Sequence, residues 1–249
     1  MRIAVFSDIH GNAFAFDVVL ADLKQQGTDL SVCLGDAVQG GPQPAEVVER
    51  LRTLGCDSVM GNADDFLLTG KTAGREETSD ERETMLNTVR EWSMAQLSAA
   101  DRAFIASFKA TIEIPLQGER KLLCFHGSPK DFDDVIRPMT PEDEFQAMLT
   151  PYLPHLMTGG HTHIQHLRRI GATDSFYFNP GSVGFAYSHQ QAEEDFRADA
   201  WAEYAILTVD KGKTALEFRR LPYDAQRLID IYRRSGRPYT DEAVRQYER

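Results

Sequence analysis

Four separate strand-like apolar runs in this chain each stop on a side chain able to ligate a metal, and no other feature constrains the fold as tightly. Ile3-Ala4-Val5-Phe6-Ser7 leads into Asp8-Ile9-His10, and Leu30 to Leu34 leads into Gly35-Asp36. Leu122-Leu123-Cys124-Phe125 leads into His126-Gly127, and Leu156-Met157-Thr158 into Gly159-Gly160-His161-Thr162-His163. A fifth, shorter run, Ser58-Val59-Met60, ends in Gly61-Asn62. In open α/β sheets, ligands gather beyond the carboxyl ends of the strands, so polar residues at those ends converge although they lie far apart in sequence. The inventory is two Asp, one Asn and four His. That mixture of hard oxygen and imidazole nitrogen suits Mn, Fe, Ni or Zn better than Ca, which prefers oxygen alone. It reads as a two-metal site.

The rest of the chain fits one compact unit. Phe16, Val19, Leu20 and Leu23 recur at helical spacing, predicting an amphipathic helix over 14–26 that closes near Gly27. A second helix is expected over 44–54, with Pro44 in its first turn and Val47, Leu51 and Leu54 buried. Such strand–helix–strand units favour right-handed crossovers and parallel pairing. The second half reads as strands joined by short turns: Ile112-Glu113-Ile114 before a turn at 117–119, then 164–170, 176–178, 204–209 and 215–220. Residues 69–84 and 188–200 are polar stretches expected as exposed helix or loop at the rim of the site. Residues 223–249 read as a mixed-charge helical tail with Leu228, Ile231 and Tyr232 on one face.

A length of 249 residues is ordinary for one large α/β domain, and no apolar stretch approaches the ~20 residues of a membrane span. Residues 1–6 run straight into the first motif and read as a core strand, not as a signal peptide. The three cysteines, Cys33, Cys56 and Cys124, read as buried free thiols of a reducing compartment, so the cytoplasm is the expected location. A formal charge of −11 argues against non-specific nucleic-acid binding, which rests on Lys and Arg neutralising phosphates. The global charge does not set the local field, however. Two divalent ions outweigh two aspartates, so the site itself can attract a phosphate.

In order, Asp8-Ile9-His10, Gly35-Asp36, Gly61-Asn62, His126 and Gly160-His161-Thr162-His163 resemble the signature of the calcineurin-like metallophosphoesterases. The phrasing Ser7-Asp8-Ile9-His10-Gly11-Asn12, Gly61-Asn62-Ala63-Asp64 and Asn179-Pro180-Gly181-Ser182-Val183-Gly184 is similar to the small bacterial and archaeal phosphodiesterase branch. The resemblance covers about residues 1–222, taken as the metallophosphoesterase domain; the apolar stripe of 223–249 is expected to pack on that same domain and not on a partner. The resemblance implies an α/β fold, a four-layer αββα sandwich of two mixed sheets flanked by helices. It also implies two divalent transition-metal ions, with Mn favoured and Fe, Ni or Zn as alternatives.

By the same resemblance Asp8, His10 and His163 hold one ion, Asn62, His126 and His161 the other, and Asp36 bridges them. Asp36, Asn62 and His126 stand as the catalytic residues. The implied reaction is hydrolysis of a small phosphate ester by a metal-bridging hydroxide, with phosphodiesters ahead of monoesters. A phosphomonoesterase acting on phosphoproteins or nucleotides is one alternative, and a catalytically silent protein-binding scaffold is another. Asn12 either caps the first helix or contacts phosphate. His189, in the polar insertion, is the remaining histidine expected to reach substrate, whereas His155 and His166 match no ligand position. The Asn179–Ser182 run either forms a simple turn or shapes the cleft floor. Larger family members carry Gly-Asn-His-Glu or Gly-Asn-His-Asp, whose His protonates the leaving oxygen. Ala63 stands there in this chain, and Asp64 is expected to orient a metal-bound histidine from behind.

Overall fold

The computed structural model describes residues 1–71, 79–192 and 196–248. Two five-stranded mixed sheets form the centre. The first contains β1 (Arg2–Phe6), β2 (Leu30–Cys33), β3 (Asp57–Ser58), β9 (Trp201–Asp210) and β10 (Lys213–Pro222), in the order β10-β9-β1-β2-β3. The second contains β4 (Ile112–Pro115), β5 (Lys121–Cys124), β6 (Leu156–Thr158), β7 (His166–Arg169) and β8 (Phe176–Asn179), in the order β4-β5-β6-β8-β7. In each sheet three strands run parallel, β1-β2-β3 and β5-β6-β8, and the remaining strands are antiparallel at the flanks. The carboxyl ends of both parallel sets deliver the metal-ligand motifs.

Alternation along the strands builds the layers. Ile3, Val5, Val32, Leu34, Ala205, Leu207 and Val209 face Ile112, Leu122, Cys124, Leu156 and Phe178 across the gap between the sheets. On the outer face of the first sheet, Ala4, Phe6, Ala202, Tyr204 and Ile206 pack against α1 (Ala13–Gln26) and α2 (Pro44–Leu54) through Phe16, Val19, Leu23, Val47 and Leu51. On the outer face of the second, Leu123, Phe125, Met157 and Tyr177 meet Phe145 and Leu149 of α6 (Glu142–Leu149). The result is the four-layer αββα arrangement.

Helix α1 begins under the Asn12 cap and ends at Gly27, and α2 carries Pro44 in its first turn and ends at Gly55, both glycines being left-handed. Helices α3 (Asn62–Thr69), α4 (Asp80–Gln96) and α5 (Ala99–Ala106) have no strong sequence signal. The reason is visible in α4, where Val89 and Ser93 alone are buried, too little for an apolar stripe. Of the two polar stretches, residues 72–78 and 193–195 lie outside the described residues.

The tail differs from the sequence reading in two respects. It forms two helices, α7 (Ala225–Ser235) and α8 (Thr240–Arg245), broken at Gly236-Arg237-Pro238. Its buried face carries Leu228, Ile229 and Tyr232, while Ile231 is half-exposed. That face packs with Val244, Tyr247 and Ala198 against Phe14, Phe185 and Tyr223. All three cysteines are free, Cys33 and Cys124 buried and Cys56 half-buried. Burial pushes the Cys56 thiol up to about 12, which leaves it unreactive at neutral pH. Among the described residues no helix is long and apolar enough to cross a membrane.

The core between the sheets predicts a contrast in stability. Leu207 is fully buried there, whereas Met139 is 89% exposed on a loop. Leu207→Ala is expected to cost about 2–5 kcal/mol and Met139→Ala less than about 0.5 kcal/mol, read as shifts of the urea unfolding midpoint.

Candidate metal centre

Hydrogen bonding between β1 and β2 continues past the strand ends and aligns the first two motifs. Asp8 N donates to Gly35 O (3.0 Å), His10 N to Asp36 O (2.9 Å) and Gly11 N to Ala37 O (2.9 Å). From the other sheet, Gly160 N donates to His126 O (2.8 Å). Loops this close leave no room for side chains on their glycines. A Cβ on Gly61 would lie 2.2 Å from Asp36 Oδ1, and one on Gly160 would lie 1.9 Å from Ser7 Oγ. Five of the seven proposed ligands, Asp8, His10, Asp36, His161 and His163, have φ between 47° and 68°. That left-handed conformation costs a non-glycine residue on the order of 1–2 kcal/mol. It points each side chain inward, off the direction its strand would give it.

Two groups of donor atoms result, Asp8, His10 and His163 in one and Asp36, His126 and His161 in the other. In the first, His10 Nε2 is 3.1 Å from His163 Nε2, and Asp8 Oδ1 is 3.3 Å from His163 Nε2 and 3.9 Å from His10 Nε2. Donors sharing one ion at about 2.1 Å sit roughly 3.0–3.5 Å apart; two of these separations match that spacing, and the third, 3.9 Å, is somewhat wider. Asp8 Oδ1 is buried with no hydrogen-bond partner, an orphan that a cation would satisfy. In the second group His126 Nε2 is 3.4 Å from Asp36 Oδ2 and 3.0 Å from Asn62 Oδ1. Asn62 thereby joins the group as a neutral oxygen. His161 and His163 lie on a tight loop after β6, and their side chains reach different groups.

Asp36 stands between the two. Its Oδ2 lies 3.4 Å from His126 Nε2 and 3.8 Å from His10 Nε2. Its Oδ1 accepts from Ala63 N at 2.7 Å. Oδ2 is therefore the oxygen that faces both groups.

Backbone carbonyls fix the outer nitrogens of three imidazoles. His10 Nδ1 lies 3.0 Å from Gln39 O, His126 Nδ1 2.7 Å from Leu34 O, and His163 Nδ1 2.6 Å from Phe185 O. Each Nδ1 therefore carries the proton, and Nε2 is the nitrogen offered inward. The role expected of Asp64 is filled by these carbonyls. Asp64 instead accepts from the backbone N–H groups of Ala37, Val38 and Gly61 at 3.0, 3.1 and 3.4 Å. It grips the loop behind Asp36; burial and the Asp36 charge raise it to about 7.

Asn12 takes the capping role. It is 1% exposed, its Oδ1 accepts from Ala15 N at 3.0 Å, and its Nδ2 donates to Gly184 O at 3.0 Å, so both ends of the amide are engaged. His189 lies at the rim, stacked on Tyr187 with 4.5 Å between ring centroids, and its Nε2 donates to Thr162 O at 2.8 Å. The Asn179–Ser182 run is more than a turn. Asn179 Nδ2 donates to Gly160 O (2.6 Å) and Thr162 Oγ1 (3.1 Å), and Ser182 Oγ donates to Asp8 O (2.8 Å). His166 is held by Ile164 O and belongs to neither group.

The electrostatics call for positive charge. Burial alone would raise both carboxylates, but His163 holds Asp8 down, and His126 holds Asp36 well below the usual carboxylate range. Conversely, burial would lower His126, yet Asp36 lifts it to about 9, and Asp8 lifts His163 in the same way. Burial lowers His10 despite the pull of Asp36, and burial with His126 alongside lowers His161 to about 4. At pH 7 a cation must therefore displace a proton from His126, and none from His161. Mn2+ affinity is expected to weaken as pH falls from 9 to 6, by up to about tenfold per unit for the His126 group. Calorimetric titration in buffers of different ionisation enthalpy would count the released protons; pH-independent binding without proton release would contradict this account.

Comparison with known proteins agrees with this geometry. Residues 1–212 match the family model of the calcineurin-like phosphoesterase superfamily domain. An uncharacterized protein of Methanocaldococcus jannaschii is 30% identical over 243 residues, spanning 92% of this chain and 90% of its own length. A metallophosphoesterase from Sphaerobacter thermophilus shares the fold with a TM-score of 0.72 at 23% identity, covering 99% of this chain and 98% of that one. A hypothetical protein from Pyrococcus horikoshii OT3 superposes with a TM-score of 0.76 at 20% identity, covering 98% and 96%. The chain belongs to the calcineurin-like phosphoesterase superfamily.

Proposed function

We propose that this chain hydrolyses phosphate esters with two divalent ions held side by side, and that phosphodiesters are its preferred substrates. The observation that carries the reading is Asp36 Oδ2 standing between two groups of inward-turned donors. One ion is assigned to Asp8, His10 and His163, the other to Asn62, His126 and His161, with Asp36 between them. Mixed oxygen and imidazole donors suit Mn, and equally Fe, Ni or Zn. When bound, two such ions lower the pKa of a shared water and neutralise charge on phosphoryl oxygens.

The chain's own residues shape what is cleaved. A diester brings one negative charge to the site, where a monoester brings up to two. Among the described residues no arginine or lysine is hydrogen-bonded to a member of either group. Arg237, tied to the loop behind His10, directs Nε and one terminal nitrogen to backbone carbonyls. Among the described residues the donor groups themselves thus carry no cationic clamp for a dianion, which supports the diester reading. The unpaired thiols fit a reducing compartment such as the cytoplasm.

Among the described residues, neither position weighed for a leaving-group acid offers a proton. Ala63 has none to give. His189 has its Nε2 proton engaged by Thr162 O, and burial together with Arg137 and His163 lowers its pKa, so at pH 7 it is neutral with a bare Nδ1. It suits an acceptor at the rim better than an acid. Rates are then expected to depend steeply on the acidity of the leaving group. Aryl diesters should turn over at least ~10²-fold faster than simple alkyl diesters; similar rates would mean that another group donates the proton.

The test is Mn-reconstituted hydrolysis of an aryl phosphodiester beside its monoester, with Asp36→Asn as control. Faster diester turnover, reduced at least ~10²-fold in the variant, is the expected result. Faster monoester turnover would favour a phosphatase acting on phosphoproteins or nucleotides. No turnover of either ester with two ions bound would favour a protein-binding scaffold.

A further inference from the structure

The two halves of the cage are supported by different parts of the molecule. His126 is oriented by Leu34 O, just beyond β2, and Asp36 is held by Ala63 N in the first turn of α3. Those supports belong to the sheet ends and to α3. The Asp8, His10 and His163 half is backed instead by the C-terminal tail, at three points. Arg237 Nε donates to Gly40 O at 2.6 Å, and the adjacent Gln39 carbonyl is the one that orients His10. Gly40 has φ +118°, a conformation open to glycine, so without that anchor the peptides on either side of it are free to turn. The Arg237 guanidinium is itself seated on the Tyr232 ring of α7, 5.7 Å from its centroid.

The second point is Tyr247, whose hydroxyl donates to Gly184 O at 3.4 Å, while Gly184 N donates to Asp8 O at 3.0 Å. The third is Phe185, whose ring packs on the tail's apolar cluster while its carbonyl orients His163. We infer that the C-terminal helices, through Arg237, Tyr247 and the surface under Phe185, are a positioning device for the Asp8–His10–His163 metal position and not for its neighbour. Arg237 and Tyr247 touch neither ion nor substrate; they act through the carbonyls and loops that aim the ligands. The inference rests on the two-ion reading above.

The test is a two-step Mn2+ titration of the intact chain. Arg237→Ala is expected to weaken one step about tenfold, in the range typical of groups that orient metal ligands, and to leave the other within about twofold. The weakened step should be the one that His163→Ala abolishes. Tyr247→Phe removes only a hydroxyl from the packed tail, so it tests the same tie in a folded protein and should weaken the same step to a smaller degree. Arg233→Ala, which breaks the surface Arg233–Glu248 pair of the tail, should change neither step. Equal weakening of both steps by Arg237→Ala, or no change in either with both tail variants, overturns the inference while leaving the metal centre intact. Failure of the unmodified chain to bind two ions overturns the metal reading itself.

Discussion

Two carboxylates are buried at the seam between the sheets, with no lysine or arginine paired to either among the described residues. Asp8 is fully inaccessible and Asp36 nearly so. Leaving such charges uncompensated would cost several kcal/mol each. The partners on hand are imidazoles: His163 and His10 for Asp8, His126 and His10 for Asp36. Much of the local architecture follows from bringing these groups together and keeping them there. The loops must leave the strands sharply, the rings must be aimed, and every backbone group displaced by the turns must find another partner.

The left-handed ligand residues show how the turns are held. A single residue in that conformation would relax if its surroundings allowed it. Here the neighbouring strand end, the glycine packed against the next loop and the Asn179–Ser182 run hold the backbone from several sides. Gly61 and Gly160 matter less for their own flexibility than for what lies against them, since the Asp36 carboxylate and the Ser7 hydroxyl occupy the space a Cβ would need. The backbone of the site is therefore held by packing and hydrogen bonds within the protein itself.

The residues that form the two donor groups were legible in the sequence because each closes an apolar run, and the period of those runs announces a strand. Helices α1 and α2 were legible for the corresponding reason, with Gly27 closing the first, Pro44 opening the second and buried faces at helical spacing. What was hidden depends on the backbone. The carbonyls of Leu34, Gln39 and Phe185 orient the histidines, and a carbonyl carries no residue signature. Asp64 looked like a partner for a histidine because it is acidic and adjacent to the motif. Its oxygens in fact face three N–H groups of the loops around Asp36, a geometry that no spacing rule announces. Ile229 replaced Ile231 on the buried face of α7 because the helix turns a different stripe toward Phe14 and Phe185. Helix α4 left little trace because most of it is exposed.

The pairing of carboxylates with imidazoles also separates folding from metal loading. Each half contains one histidine whose pKa is raised, His163 beside Asp8 and His126 beside Asp36, and one whose pKa is lowered, His10 and His161 respectively. The raised imidazole favours the charged form that offsets its carboxylate, and the lowered one favours the neutral form that avoids like-charge repulsion. Imidazoles and carboxylates thus partly offset one another within the cage itself. A chain whose site needed the ion for that balance would fold only when loaded, as small zinc domains do. This chain instead has a core between its sheets and a further apolar layer on each outer face, all formed without any ligand residue. A metal ion entering such a cage would exchange with protons at positions the fold already supplies.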